Sequence, residues 1–198
     1  MKITLSDLKE LIDKGLITSR THPKSELIIY NYTAKAQYNK LWTKEIRQCR
    51  GLICNFDEEI IARPFEKFFN LEEYDQPLPE ETFEVFEKLD GSMGILYFIE
   101  DTPYIASRGS FDSPQAIKGS SMLHEQYKEA IPLLNKEKTY LFEIIYPENK
   151  FVVDYEKLNA LTLLAVIDTK TGNEEAIEEY NNLGFPIVQK FKPSNLND

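Results

Sequence analysis

The stretch that decides the fold is FEVFEKLDGSMGILYFIE, residues 83–100. Two apolar and aromatic runs, typical of β-strands, flank the polar string Lys88-Leu89-Asp90-Gly91-Ser92. Because Asp-Gly between apolar strands is a common hairpin signal, the string on its own favours a β-turn. The chemical alternative is a lysine nucleophile, which must be neutral to attack, followed by backbone amides that approach a phosphate.

Outward from this string, short apolar runs recur along the chain and a few helices interrupt them. We predict helices over 4–14, 114–131 and 174–183, the last one acidic and ended by Gly184. We predict strands over 26–32, 51–56, 59–65, 83–89, 94–100, 103–108, 140–146 and 161–168, with a last strand or extended tail over 185–191. This pattern predicts an α+β fold of antiparallel β-sheets with flanking helices.

Three further local predictions follow from composition and turn residues. Asp57-Glu58 is expected to join two strands as a hairpin, and 161–168 is apolar enough to be buried on both faces. Residues 33–48 are polar and irregular, with room for a short helix. The segment 71–81, with two prolines and many acidic residues, is predicted to be an internal linker.

The overall composition indicates one acidic domain, 1–198, with enough hydrophobic residues to form a core. The chain has 198 residues, 42% of them hydrophobic, and a net charge of −10. This charge excludes a protein that coats polyanions, although a local basic cleft on an acidic body stays compatible with it. No apolar run reaches the roughly 20 residues that a membrane helix needs, so we expect no membrane partner.

Cysteine and histidine are scarce. Cys49, Cys54, His22 and His124 are too few for a disulfide framework or a complete zinc site. We therefore expect a reducing, cytoplasmic location.

Four other short motifs lie before and after the polar string 88–92, which is called the lysine string from here on. They are CRGL (49–52), RPFEKFFN (63–70), SRGS (107–110) and LFEII (141–145). Together with KLDGS they resemble the ATP-dependent RNA ligases of the phage T4 RNA ligase 1 type, from about Tyr30 to Asp168. The resemblance implies a nucleotidyltransferase (ATP-grasp-like ligase adenylation) domain that uses ATP and Mg²⁺ and joins an RNA 5′-phosphate to a 3′-OH.

The resemblance assigns the chemistry to the lysine string and a later glutamate. Lys88 matches the nucleophile that attacks the α-phosphate of ATP and carries AMP as a lysyl-AMP intermediate. Asp90 and Gly91 match the rest of the nucleophile motif. Glu143 matches the glutamate that binds the nucleoside sugar. Because it interrupts an apolar strand, its carboxylate needs a hydrogen-bond or charge partner if it is buried.

The remaining carried-over residues would contact the nucleotide. Arg50 and Lys67 match cations that contact ATP, and Tyr30 matches a tyrosine of the nucleotide pocket. Arg108 stands where the family commonly has a lysine. An arginine at this position keeps the positive charge but presents it as a planar guanidinium group. Taken singly, Arg50 and Lys67 also fit ordinary surface cations, and Tyr30 fits a core aromatic residue.

Two motifs that the resemblance leads us to expect after Glu143 are missing. The sequence contains no Glu-Gly dipeptide, and Lys190-Phe191-Lys192 fits the expected lysine-x-lysine only by its letters. Those motifs would supply a metal-linked carboxylate and two lysines. We therefore expect either a fragment that ends inside the adenylyltransferase domain or a short homologue completed by a partner chain.

Three functions stay open at this point. The first is the ATP-dependent RNA ligase enzyme, favoured by intact Lys88, Asp90, Gly91 and Glu143. The second is a nucleotide- or RNA-end-binding module without ligation activity, favoured by the missing motifs. The third is a relative that shares only the fold and acts through protein contacts, for which the acidic segment 174–183 is a candidate face. If RNA binds, the net charge predicts weak, strongly salt-dependent binding in a narrow cationic groove.

Overall fold

The computed structural model describes residues 5–73, 83–149, 153, 155 and 158–192, and in this part the chain forms three antiparallel sheets. The first sheet consists, in spatial order, of β1 (Ile17–Thr21), β2 (Leu27–Tyr32), β3 (Arg50–Asn55) and β4 (Ile60–Ala62). A short ladder pairs β5 (Val85–Phe86) with β10 (Lys190–Phe191). The remaining sheet contains β6 (Ser92–Ile99), β7 (Thr102–Ser107), β8 (Lys138–Ile145) and β9 (Ala160–Asp168), in the spatial order β7-β6-β8-β9.

Helices cover the outer faces of the two large sheets. They are α1 (Leu5–Asp13), α2 (Ala34–Tyr38), α3 (Lys44–Gln48) and α4 (Pro114–Gln126). Short 3₁₀ turns occupy Leu71–Glu73, Ile131–Leu133, Pro147–Asn149 and Ile177–Leu183. None of the described helices has the length and apolar character required to cross a membrane.

The two large sheets pack face to face, because alternate residues of each strand point to opposite sides. The core between the sheets includes Ile29 and Ile53 of the first sheet and Ile95 and Leu141 of the second. A second core lies between the first sheet and α1 to α3, and a third lies between the second sheet and α4. The α+β fold with antiparallel sheets and flanking helices is therefore confirmed.

Several local predictions are confirmed. β3 and β4 form the predicted hairpin, with Glu58 at a positive φ of 69° in the turn. Both faces of β9 are buried, as its continuous apolar run predicted. The irregular segment 33–48 contains two short helices, and the hydroxyls of Thr33 and Thr43 accept hydrogen bonds from their first turns.

Other predictions need correction. β1 was not predicted, because four of its five residues are exposed at a sheet edge and show no apolar alternation. α4 ends at Gln126 rather than 131, and 174–183 contains a 3₁₀ turn instead of an α-helix, although Gly184 does end it with a φ of 77°. Of the predicted linker 71–81, residues 74–81 lie outside the described residues.

The lysine string is not a hairpin turn, which corrects the plainest interpretation of Asp90-Gly91. β5, before the string, pairs with β10, whereas β6, after it, pairs with β7 and β8. Residues 87–91 therefore connect two different sheets. Residues 88–91 of this connection belong to no strand, so the connection is free to present Lys88 to a ligand.

Gly51 brings the two large sheets close together near the lysine string. It lies at a register shift between β2 and β3 and has a φ of 105°, which favours glycine. A Cβ atom at this position would overlap Cδ1 of Ile95 and lie 3.0 Å from the carbonyl oxygen of Arg108. Gly51 thus allows the neighbouring Arg50 to approach the Arg108 turn.

We expect Gly51→Ala to lower the free energy of unfolding by about 2–4 kcal/mol, since it combines backbone strain with a clash against Ile95. Gly184→Ala is a matched control, because Gly184 also has a positive φ but has no atom within 4 Å of the added methyl. Chemical denaturation of both variants measures the difference. Equal losses in the two variants would contradict the packing role of Gly51.

Candidate functional site

A cleft of about 1000 Å³ opens where the core between the two large sheets ends. One wall is formed by the connection that contains Lys88 and by the start of β6. Another wall includes Arg50, Phe68 and Arg108, and Glu143 also lines the cleft. The structure therefore gathers Lys88, Asp90, Gly91, Arg50, Arg108 and Glu143 around one cleft, although they are spread over almost a hundred residues of sequence.

Lys88 is an exposed side chain on a connection that is fixed on both sides. Before it, the Glu87 N–H donates to the Gln189 carbonyl at 2.8 Å, continuing the β5–β10 ladder. After it, the Asp90 carboxylate accepts a hydrogen bond from the Val153 N–H at 2.7 Å. The backbone of the lysine string is thus anchored while the lysine itself stays accessible.

Gly91 makes the closest link between the lysine string and β8. Its N–H donates to Oε1 of Glu143 at 2.7 Å. A Cβ atom on Gly91 would lie 2.6 Å from the Ile144 carbonyl oxygen, closer than carbon and oxygen can approach. Only glycine allows this hydrogen bond at this distance, so the residue type and the position of Glu143 depend on each other.

Glu143 has an environment that changes its acidity. Burial raises the pKa of its carboxyl to about 7. The Gly91 hydrogen bond and the positive charges of Lys88 and Arg50 lower this pKa, whereas the Asp90 carboxylate raises it. The partner that a glutamate on an apolar strand requires is therefore supplied by the lysine string.

A buried asparagine ties the same region to α4. Asn149, 7% exposed, donates from Nδ2 to the Ser92 hydroxyl at 3.0 Å and to the Ile144 carbonyl at 3.1 Å. Its Oδ1 accepts from the side chain of Gln115 at 3.4 Å. Gln115 itself lines the cleft, so this network links the lysine string, the end of β8 and the first turn of α4.

Arg50 and Arg108 give their wall of the cleft its positive charge. Arg108 donates to the Tyr32 hydroxyl at 3.2 Å, and Arg50 lies over the Phe68 ring at 4.9 Å. Burial lowers the pKa of the Arg50 guanidinium; Tyr32 raises it and Arg108 lowers it. Two neighbouring guanidinium groups in a cleft form a site for an anion.

Lys67 lies beside this wall but does not line the cleft. Its segment is attached to the core by Arg63, whose N–H donates to the Thr139 hydroxyl at 2.9 Å. Burial lowers the pKa of the Lys67 ammonium, Glu73 raises it, and the charges of Arg50 and Arg108 lower it. Lys67 is therefore close enough to both arginines to extend their positive field.

The structure corrects the expected position of Tyr30. Its side chain is 2% exposed and packs on the helix side of the first sheet, because alternation along β2 directs it away from the cleft. The residue that lines the cleft is the adjacent Asn31. Sequence reasoning missed Asn31, Tyr32 and Gln115, although strand alternation around Tyr30 pointed to the first of these.

Two other sequence candidates lie elsewhere. Lys190 forms ion pairs with Glu84 and with Glu178, the latter at 3.1 Å, and is absent from the lining of the cleft. Cys49 and Cys54 are free and buried. Among the described residues, no group of three or more His, Cys, Asp or Glu side chains is arranged to hold a metal ion.

Comparison with known proteins identifies relatives of the chain. The family model described as RNA ligase matches residues 48–194. A putative RNA ligase of Thermovibrio ammonificans is 31% identical over 202 residues, which cover 96% of this chain and 52% of the relative. The RNA ligase of Rhodothermus phage RM378 is 25% identical over 218 residues, covering 85% and 49%. The chain thus spans about half the length of these curated relatives.

Solved structures share the fold. An archaeal ATP-dependent RNA ligase has a TM-score of 0.63 at 17% identity, covering 96% of this chain and 50% of that chain. A putative ATP-dependent DNA ligase from Aquifex aeolicus also has a TM-score of 0.63, at 19% identity, covering 95% and 50%. These likenesses show that the chain shares the fold of both ligases.

The raised pKa of Glu143 predicts a pH-dependent stability. Between its ordinary value of 4.5 and about 7, the folded chain keeps a proton that the unfolded chain has released. The free energy of unfolding therefore falls as the pH rises through this range, by about 1–3 kcal/mol for this group. Glu143→Gln removes the titration but keeps an oxygen that accepts from Gly91.

We expect the difference in unfolding free energy between the native chain and Glu143→Gln to shift by this amount between pH 5 and pH 8. Urea titrations at several pH values measure it. Parallel pH profiles for the two proteins would show that Glu143 titrates normally and would contradict the assigned environment.

Proposed function

Since the chain belongs to the RNA ligase family, we propose that it performs the nucleotidyl transfer of an ATP-dependent RNA ligase, with Lys88 as the nucleophile. The observation that supports this most strongly is the convergence of Lys88, Arg50, Arg108 and Glu143 on one cleft. A lysine nucleophile, cations for phosphates and a carboxylate for a sugar are the groups that the chemistry requires. We further propose that 1–198 is a single adenylyltransferase domain.

In the proposed first step, the lone pair of Lys88 Nζ attacks the α-phosphorus of ATP. A P–N bond forms, the bond from phosphorus to the bridging oxygen breaks, and pyrophosphate leaves, while the amine loses a proton. Arg50, Arg108 and Lys67 would stabilise the negative charge on the phosphates. Magnesium bound with the triphosphate would neutralise further charge, its ligands coming largely from phosphates and water.

The other residues of the lysine string would orient the nucleotide. Glu143 would accept hydrogen bonds from the ribose hydroxyls, and Gly91 would hold Glu143 in place through its N–H. Asp90 would fix the connection that presents Lys88. Tyr30, buried on the far side of β2, would act through packing, by supporting the strand that presents Asn31.

In the proposed later steps, a 5′-phosphate oxygen of RNA attacks the phosphorus of lysyl-AMP and frees Lys88. A 3′-OH then attacks the RNA 5′-phosphate, and AMP leaves as the strand is sealed. Because Lys190 is paired with Glu84 and Glu178 and does not line the cleft, further cations for these steps would come from a partner chain or another segment. Free Cys49 and Cys54 support a reducing, cytoplasmic location.

The first step is tested by incubating the chain with ATP and magnesium and measuring the intact mass. We expect a covalent AMP adduct on the native chain that is absent from Lys88→Ala. Lys128→Ala is the matched control, because Lys128 is an exposed lysine whose partner is the neighbouring Glu129. An adduct that persists in Lys88→Ala would contradict the assignment, and ATP binding without any adduct would favour the binding-module function.

The cationic wall predicts a rate effect. We expect Arg50→Gln to slow adenylation of Lys88 by about 10²–10³-fold, since it removes one charge-stabilising donor from the phosphate site. Arg20→Gln, on the exposed edge strand β1, should leave the rate unchanged. Single-turnover adenylation with radiolabelled ATP measures both rates, and equal rates would show that Arg50 does not contact the reacting phosphates.

A further inference from the structure

The segment 64–68, which follows β4, forms a thinly supported part of the cleft wall. Phe65 and Phe68 line the cleft, and their rings meet edge to face at 6.4 Å. Phe65 also borders a second, smaller cavity of about 260 Å³. A side chain that borders two cavities has fewer packing partners than a core residue has. The position of the segment therefore depends on what holds its two ends.

Arg63 holds the first end through two hydrogen bonds. Its N–H donates to Oγ1 of Thr139 at 2.9 Å, and its Nε donates to the Thr169 carbonyl at 3.1 Å. The hydroxyls of Thr139 and Thr169 are also hydrogen-bonded to each other at 2.8 Å, and both threonines are buried. These three residues, here called the arginine clamp, tie the segment after β4 to β8 and to the end of β9. The clamp thus joins the two large sheets.

The turn after β9 fixes the direction of the Arg63 side chain. Gly172 in this turn has a φ of 82°. A Cβ atom on Gly172 would lie 3.2 Å from Cδ of Arg63 and 3.4 Å from its Nε. The arginine side chain therefore lies close against the turn, and packing and hydrogen bonding determine its direction together.

Helix α3 holds the other end of the segment. The Lys67 N–H donates to the Arg47 carbonyl at 2.8 Å, and Arg47 Nε donates to the Lys67 carbonyl at 3.3 Å. The next residue is Phe68, whose ring centre lies 4.9 Å from the Arg50 guanidinium. A cation held over a ring in this way keeps a defined position. The placement of Arg50 therefore depends on a segment that is anchored at Arg63 and at Lys67.

We infer that Arg63 is a positioning residue for nucleotidyl transfer, an inference that rests on the proposed function. Arg63 is not among the described residues that line the cleft. It acts by holding the segment in which Phe68 supports Arg50. An arginine suits this role because its planar guanidinium donates from Nε in a fixed direction, whereas a lysine ammonium is a point charge on a flexible stem.

Two substitutions of Arg63 separate geometry from charge. Arg63→Met removes the side-chain donors but keeps an unbranched stem, and Arg63→Lys keeps both a stem and the charge. We expect both variants to slow single-turnover adenylation of Lys88 about tenfold at saturating ATP, because the phosphate site is misplaced. Arg20→Met, on the exposed edge strand β1, should keep the native rate. A native rate in Arg63→Lys would show that charge alone matters and would overturn the inference.

Combination with Arg50→Gln tests the route by which Arg63 acts. Since Arg63 acts through Arg50, Arg63→Met should slow the Arg50→Gln variant less than twofold, although it slows the native chain about tenfold. A general structural role would slow both proteins by the same factor. Such additivity would overturn the positioning role.

Thr139 allows a test of the clamp in which the arginine stays in place. Thr139→Val removes the hydroxyl that accepts from the Arg63 N–H, and Thr139→Ser keeps it. We expect Thr139→Val to slow adenylation and Thr139→Ser to stay within about twofold of the native rate. Equal losses in the two variants would assign the effect to the methyl group and contradict the clamp. This pair decides the question even if the Arg63 variants fail to fold.

Trp42, the one tryptophan of the sequence, reports on the segment without any chemistry. Its ring meets that of Phe69, directly after the segment, at 5.6 Å. We expect Arg63→Met and Arg63→Lys to shift the Trp42 emission of the folded chain, and Arg20→Met to leave it unchanged. If the native chain adenylates Lys88 and the Arg63 variants match its rate, the inference fails and the proposed function stands. If the native chain never adenylates, the proposed function fails, and the emission shift still shows that Arg63 holds the cleft wall.

Discussion

A single hydrogen bond, from the Gly91 N–H to Oε1 of Glu143 at 2.7 Å, determines how the rest of the candidate site is arranged. It joins the connection that carries Lys88 to β8, at a place where any Cβ would collide with the Ile144 carbonyl oxygen. The carboxylate it holds is partly buried in the lining of the cleft, and that burial raises the pKa of Glu143 to about 7. The hydrogen bond thus fixes Glu143 relative to the exposed lysine, while burial of the carboxyl outweighs the lowering effect of this bond on its pKa.

The fold supplies this contact by joining strands that are far apart in sequence. β6 and β8 are adjacent in the second sheet, so Ser92 is paired with Ile144, next to Glu143. The first sheet packs on the same core and brings Arg50 to the cleft. An acidic chain can in this way concentrate positive charge at one place, because the cations are arranged by the packing of two sheets rather than by composition.

The sequence predicted the strands with clear apolar runs and, through its motifs, six of the residues that line the cleft, namely Arg50, Lys88, Asp90, Gly91, Arg108 and Glu143. It did not predict β1, which is an edge strand with one buried residue, Ile17. Tyr30 was expected in the pocket because motif matching takes no account of which face of a strand a residue occupies; alternation along β2 places Asn31 there instead. The hairpin suggested by Asp90-Gly91 was wrong because strand pairing is long-range: β5 finds its partner in β10, about a hundred residues later.

Lys88, Glu143 and the two arginines are proposed to form one nucleotide site. The most direct measurement is a crystal structure of the native chain after incubation with ATP and magnesium. We expect continuous density from Lys88 Nζ to a phosphate, with the ribose hydroxyls within hydrogen-bond distance of Glu143 and the phosphate facing Arg50 and Arg108. Nucleotide bound elsewhere, or bound in the cleft with its phosphates turned away from both arginines, would contradict it.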